Sequence, residues 1–319
     1  MRKQLLTITP LFFCCFLFSQ QLPQYTQFIF NKAGYNPAAA GTSLKSPTEI
    51  IFGGRTQWIG MNNNPKVAFL SVNYTFIPQR SYKNWHNVGA YIDQDRNGIF
   101  IDNSIYLSYA FHQHVTKNTV MSVGVFAGLK QFYINSSLLD RNDPAVSNSA
   151  RSFLAYPDIV PGIRIYNRKF FADLSLWQVS IFQQKGYFSS KQIGSPSKLP
   201  VHYIFCIGKK INLPLDNKFL VSLNLRGTYK SIPIIELNFM NYWNKRFAYG
   251  FSVRDRDFVC GIFQLRIVNN LVVGFAYDMS INKLFKPATH SAEIMIGVSP
   301  VFGNDSDKRS RSSVDDCSF

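Results

Sequence analysis

Residues 219–229 read FLVSLNLRGTY. Phe219, Val221, Leu223, Leu225 and Tyr229 fall on one face, with Gly227 among them, while Ser222, Asn224, Arg226 and Thr228 fall on the other. A side-chain period of two marks a strand with one apolar and one polar face. The alternation returns downstream. Phe247, Tyr249, Phe251 and Val253 alternate with Ala248, Gly250, Ser252 and Arg254. Val259, Phe263, Leu265 and Ile267 alternate with Gln264 and Arg266, and Val273, Phe275, Tyr277 and Met279 alternate with Ala276, Asp278 and Ser280. Very short turns separate these runs, so the sequence predicts an antiparallel meander.

The polar face carries Arg226, Glu236, Arg254, Arg266, Asp278 and Glu293. A soluble sandwich turns its apolar faces inward and leaves such charges in water. A membrane barrel turns its aromatic-rich face to lipid and keeps the charges in its lumen, where opposite signs on neighbouring strands can pair. Paired charges would partly plug the lumen; an ion or solute path is the alternative reading of the same residues. Periodicity does not choose between sandwich and barrel.

Composition and connections do. The 319 residues include 29 Phe and 16 Tyr, yet mean hydropathy is only -0.06. High aromaticity without overall hydrophobicity suits alternating barrel strands and argues against transmembrane helices. Strands are predicted at 48–60, 66–77, 85–93, 104–115, 119–133, 157–166, 170–177, 200–211, 217–229, 232–243, 246–254, 257–267, 271–280 and 290–302. That is about 14, an even number as in single-chain outer-membrane barrels. The connections alternate in length. One side holds the short TKN, NRK, NLPLD, WNK and VNN turns; the other holds QDRNGIF, INKLFKPATH and the loops 134–156 and 178–199. Short turns on one side and long loops on the other are the outer-membrane asymmetry. The expected fold is therefore an all-β transmembrane antiparallel barrel over 48–302.

Residues 1–19 have the form of a secretory signal, with Arg2 and Lys3 before the apolar run Leu11 to Phe18, and cleavage expected near Ser19–Gln20. Its removal leaves 32 basic against 18 acidic residues, a net charge of +14. Nucleic acid is a poor partner for an exported protein. Acidic headgroups, lipopolysaccharide phosphates or an acidic protein suit the charge better, a solvated basic rim being the plain alternative. Cys206, Cys260 and Cys317 are odd in number and irregular in spacing, so no disulfide framework is expected. The first segment after the signal, 20–47, carries Pro23, Pro37, Gly41 and the small run Ala38 to Ala40. It reads as a plug-like periplasmic segment or a loose leader. Residues 303–319 are charged and serine-rich without apolar period, a pattern of disorder, placed in the periplasm by an even strand count.

At QYTQFIFNKAGYNPAAAG the chain resembles the PorP/SprF family of outer-membrane proteins associated with type IX secretion in Bacteroidetes. Gln24, Gln27, Phe30, Asn31, Asn36, Pro37, Ala38, Ala40 and Gly41 carry the match. Arg55, Gln57, Trp58 and Gly60, with Pro65 and Lys66 after them, resemble the family's R-x-Q-W-x-G strand. Further matches run through Gly89, Asp93 and Gly98, SYAF at 108–111, PGIRIYN at 161–167, Arg254 and Tyr277–Asp278. The resemblance implies a barrel in the outer membrane that works with periplasmic ring, lipoprotein and peptidoglycan-anchoring components of the secretion and gliding machinery. It also implies, for some members, a dedicated secreted surface adhesin.

Phe30, Asn31, Asn36, Pro37, Gly41, Arg55, Gln57 and Trp58 are thus the candidate partner or plug contacts. By parity Arg55 and Gln57 share a face and Trp58 points away, which suits lumen polar groups and an interfacial aromatic. His112 and His114 share the lumen face of one strand, with His202 and His290 on others. No carboxylate or cysteine spacing supports a metal site with them. No nucleophile elbow, Walker motif or dinucleotide glycine motif is present, so no catalytic or cofactor residues are nominated. The expectation is a non-enzymatic barrel without cofactor, with a passive porin as runner-up and an outer-membrane lipid enzyme third.

Overall fold

The computed structural model describes residues 22–44, 46–76, 83–135, 153–179, 200–215, 217–229, 231–255, 258–281 and 290–299. Fourteen antiparallel strands close into one barrel. They are β1 (Thr48–Thr56), β2 (Lys66–Phe76), β3 (Asn84–Asn97), β4 (Phe100–His114), β5 (Val120–Ile134), β6 (Phe153–Tyr166), β7 (Phe170–Trp177), β8 (His202–Asn212), β9 (Lys218–Thr228), β10 (Ile234–Trp243), β11 (Phe247–Arg254), β12 (Phe258–Val268), β13 (Leu271–Ser280) and β14 (His290–Val298). Each strand pairs with its neighbours in sequence, and β1 closes the ring on β14 from Ile50↔Val298 to Thr56↔Ala292. Closure removes every free edge, which a bilayer demands because lipid offers no hydrogen bonds to unpaired backbone.

The alternation read from β9 and β11 is the alternation observed. Phe247, Tyr249, Phe251 and Val253 are exposed on the outer face, while Ala248, Ser252 and Arg254 are buried inside. Among the described residues no helix is long and apolar enough to cross a membrane. The crossings are made by strands.

QDRNGIF, expected as a loop, is a correction. The β3–β4 ladder continues through Gln94↔Asn103, Asp95↔Asp102, Arg96↔Ile101 and Asn97↔Phe100. Gly98 then turns the chain with φ 62. A polar run is compatible with a strand wherever the sheet stands clear of lipid. A membrane strand needs about 9–11 residues; β3 to β6 have 14, 15, 15 and 14, so this wall extends past the apolar belt. Its outer face says the same, since Gln94, Asn103 and Gln131 hydrogen-bond in a row across three strands at 2.8 and 3.5 Å. β1 is shorter than predicted and ends at Thr56.

Residues 22–44 lie inside the barrel. They form a short helix, α1 (Lys32–Tyr35), and one 3-10 turn (Pro37–Ala39). Tyr25, Phe28, Ala33, Tyr35, the three alanines Ala38 to Ala40 and Leu44 are buried against the inner wall. The segment enters deeper than a barrel mouth. Thr26 meets the ends of β13 and β14 on the long-loop side, and the chain then descends to β1 at Thr48 on the short-turn side. The loops 134–156 and 178–199 and the tail 303–319 lie almost wholly outside the described residues, as do residues 1–19.

Candidate functional site

Strand parity aims a set of charged side chains into the lumen, and the plug is built to meet them. Glu236 on β10 accepts from Arg226 on β9 at 2.6 Å and from Arg254 on β11 at 3.1 and 3.2 Å. Ser252 donates to the same carboxylate at 3.3 Å. Beside this triad, Arg55 on β1 pairs with Asp278 on β13 and stands 3.5 Å from Glu293 on β14. Three guanidinium groups therefore face three carboxylates. Burying ions is costly unless they are paired and their remaining donors and lone pairs are satisfied, and here the plug supplies part of that satisfaction.

Glu293 accepts the backbone N–H groups of Thr26 at 2.8 Å and Gln27 at 2.9 Å. The Thr26 hydroxyl accepts from Arg55 at 2.8 Å and donates to Asp278 at 3.0 Å. Arg254 reaches Gln24 and Thr26 at 3.4 Å. The Tyr35 hydroxyl accepts from the Tyr25 N–H at 2.8 Å, donates back to the Tyr25 carbonyl at 2.9 Å and accepts from Arg226 at 3.2 Å. Burial raises the Tyr35 phenol above its ordinary pKa, with Arg226 acting in the opposite sense. The Tyr35 carbonyl accepts from Ser175 at 2.7 Å and Trp177 at 3.1 Å. One continuous network thus ties the plug to β1, β7, β9, β10, β11, β13 and β14.

The Asn-Pro-Ala turn docks on the opposite wall by shape. Gly124 on β5 and Gly162 on β6 are directly paired and share lumen parity. A Cβ on Gly162 would stand 2.0 Å from Asn36 Oδ1, and one on Gly124 would stand 2.5 Å from the Ala38 nitrogen. Only glycine admits the Asn36 side chain and the Pro37–Ala38 backbone this close. Asn36 caps the 3-10 turn by accepting from Ala38 at 3.0 Å, and its amide donates to the Ile163 carbonyl at 2.9 Å. Gly41, at φ 73, presents its carbonyl to Trp85 Nε1 at 2.9 Å.

Of the residues singled out from sequence, Asn31, Asn36, Pro37, Gly41 and Arg55 come together with Arg226, Glu236, Arg254, Asp278 and Glu293 in the plugged lumen. Phe30 packs near the short-turn end, where its ring lies 3.1 Å from the place of a Gly297 Cβ. Arg266 is placed elsewhere in the lumen, at the short-turn end. It lines a cavity of ≈ 150 Å³ at the same end, between plug and wall, with Phe30, Lys32, Glu49 and Tyr242. Gln57 and Trp58 lie beyond β1 in the connecting turn; Trp58 is exposed at φ 51. His112 is occupied structurally, stacking on Trp85 at 5.0 Å and meeting the Ser122 hydroxyl at 2.5 Å. Cys206 and Cys260 are both buried, and neither forms a disulfide. Among the described residues no group of three or more His, Cys, Asp or Glu side chains is arranged to hold a metal.

Sequence reasoning missed Thr26, Tyr35, the Gly124–Gly162 cradle and the ion pairs Arg164–Asp173 (2.6 Å) and Lys130–Asp102 (2.9 Å). Parity applied to β3–β7 as it was to β9–β14 would have found the charged ones. Nothing local in the sequence announces the plug contacts.

A closed, even-stranded antiparallel barrel with an aromatic outer face and charges held inside is a membrane barrel of the outer-membrane class. This chain belongs to the type IX secretion system membrane protein PorP/SprF family, whose model matches residues 17–298. The comparison with curated proteins gives no match. Among solved structures the chain is similar to the Ralstonia pickettii toluene transporter TbuX, at 12% identity over 85% of this chain and 93% of that one, with a TM-score of 0.47. It is also similar to the CymD monoaromatic hydrocarbon channel, at 11% identity over 87% and 93%, with a TM-score of 0.48. The Pseudomonas putida toluene transporter TodX gives 7% identity over 88% and 93%, with a TM-score of 0.45.

Proposed function

We propose that this barrel is a plugged, non-enzymatic anchor in the outer membrane. It couples periplasmic ring, lipoprotein and peptidoglycan-attached components of type IX secretion, or a surface adhesin exported by that system, to the membrane. The observation that carries the reading is the plug, whose backbone amides and hydroxyls complete a buried ion-pair network inside the lumen. A plug hydrogen-bonded to nine of the strands makes the barrel a rigid fitting. On this reading residues 1–19 are a signal peptide removed on export, the tail 303–319 is available to periplasmic partners, and the basic surplus meets lipopolysaccharide phosphates.

The test is purification from outer membranes under mild detergent after in-cell crosslinking, with mass spectrometry of what accompanies the barrel. Periplasmic ring components assign it to the core machinery, and a single large adhesin makes it a dedicated anchor. A barrel that comes out alone and conducts steadily in planar bilayers is instead a porin, and the proposal fails.

A further inference from the structure

The β3–β6 side of the lumen carries a charge imbalance that the plug does not resolve. Strand register sets three inward rows there, one above another. The deepest is Tyr91, Tyr106, Gly128 and Asp158; the next is Asp93, Ser104, Lys130 and Tyr156; the outermost includes Asp95, Asp102 and Phe132. Among the described residues four carboxylates thus share one ammonium group, the Lys130 Nζ 2.9 Å from Asp102. Asp95 and Asp102 are directly paired across the ladder, a placement that like charges disfavour unless a cation stands with them. In a chain of net charge +16 this local acidity runs against the composition.

Two further observations point to a ligand. One carboxylate oxygen of Asp93 and one of Asp158 have no hydrogen-bond partner among the described residues, though these side chains are only 7% and 1% exposed. Buried acceptors are ordinarily satisfied, so these oxygens mark places for donors that the described chain does not provide. The floor beneath them is aromatic. Tyr91 and Tyr106 each stack on Phe126 at 5.6 Å, and the Tyr106 hydroxyl donates to Asp158 at 2.7 Å. The plug's Tyr25 packs on Phe69 at 4.9 Å, and Phe69 stacks on Tyr91 at 6.1 Å. At the rim an exposed Phe100 stacks on Phe132 at 5.7 Å. The polar ladder Gln94, Asn103 and Gln131 on the outside of the same wall sets the niche above the apolar belt at the long-loop end, where the Asp102 side chain keeps 30% of its exposure and Phe100 is exposed.

We propose that this niche receives lysine or arginine side chains from a polypeptide segment presented at the cell surface. The cationic head sits between Asp95 and Asp102, with its donors aimed at the deeper carboxylates, and its methylene stem lies along the rings. A bare divalent cation fits less well, because the Lys130 ammonium already stands among the acids and aromatic rings make up the floor. The inference deepens the anchor reading above and rests on it. The surface protein held by the barrel would be recognised through basic residues, and its docking would press on the outer side of the plug.

The test uses the full chain in nanodiscs, titrated with a short fluorescent peptide rich in Lys and Tyr, with the same peptide acetylated at lysine, and with Ca²⁺ alone. Expected are saturable anisotropy with the unmodified peptide, loss on acetylation, and weakening at high salt. The Asp95→Asn/Asp102→Asn double variant should bind at least about tenfold more weakly. Lys130→Gln, which removes the internal competitor, should bind more tightly. Equal binding of the acetylated peptide, unchanged affinity in the double variant, or no binding to a barrel whose heat-modifiable gel migration proves it folded would each overturn the proposal. So would Ca²⁺ binding that the double variant abolishes in the absence of peptide binding. Should the niche reading fail on any of these counts, periplasmic components that still co-purify with the crosslinked wild-type barrel would show the anchor role standing without it.

Discussion

Two charged regions of one lumen behave in opposite ways. On the side formed by β9–β11, β13, β14 and β1, three arginines meet three acids, and the plug's backbone takes up acceptor capacity that remains. On the β3–β6 side, among the described residues, four aspartates surround one lysine and the plug offers mainly a tyrosine ring. The first region matches each acid with an arginine and ties the plug to the wall. The second has carboxylate oxygens on Asp93, Asp102 and Asp158 without a hydrogen-bond partner among the described residues. Charge alone therefore does not define a site; the ratio of donors to acceptors after folding does.

The largest effect should come from breaking the ion-paired side. Glu236→Ala strands Arg226 and Arg254 in a buried setting, and loss of one partner from such a pair costs about 3–5 kcal/mol. Thermal unfolding in detergent should show a markedly lower midpoint, and an unchanged midpoint would mean that the arginines find other partners. Next come the glycines under the Asn-Pro-Ala turn. Gly162→Ala or Gly124→Ala should cost about 1–3 kcal/mol through overpacking, acting on the plug before the barrel. Limited proteolysis would reveal this as new cleavage between residues 22 and 44 while the barrel stays heat-modifiable; a protected plug would count against the docking geometry.

Thr26→Val removes one hydroxyl that both accepts from Arg55 and donates to Asp278. A loss of about 1–3 kcal/mol is expected, because charged groups are left short of a partner, and amide exchange of the plug should quicken. The acidic wall should answer with the other sign. Asp95→Asn relieves the like-charge pairing with Asp102 and should stabilise by roughly 0.2–1 kcal/mol. If it destabilises instead, the two regions are not the opposites described. Gly261→Ala serves as the baseline. Its added Cβ meets nothing within 4 Å, and a shift outside about ±0.5 kcal/mol would be unexplained.

The PorP/SprF resemblance read from the first segment and from RTQWIG agrees with the family match over 17–298. The residues carrying it divide once the chain is folded. Asn36, Pro37, Gly41 and Arg55 are structural to the plug, whereas Gln57 and Trp58 sit in a surface turn. A motif therefore does not say which of its members share a site. The QDRNGIF stretch shows the complementary difficulty. Its polar residues look like loop because sequence reading assumes that every outer strand face meets lipid, and β3–β6 rise out of it.

What the sequence determined by itself was everything that depends on neighbours along the chain. The period of two fixed which residues face lipid and which face the lumen, and the short turns fixed the pairing order of the strands; their even number allows the barrel to close. Charge parity on β9–β14 placed Arg226, Glu236, Arg254, Asp278 and Glu293 inside. Tertiary structure alone decided who meets whom. Thr26 bonds Asp278 and Glu293 across more than 250 positions, and Asn36 reaches β6 and β7. Such contacts depend on barrel diameter, strand register and the path of the plug through the lumen. Those are set by closure of the whole sheet, a constraint that no local stretch of sequence contains.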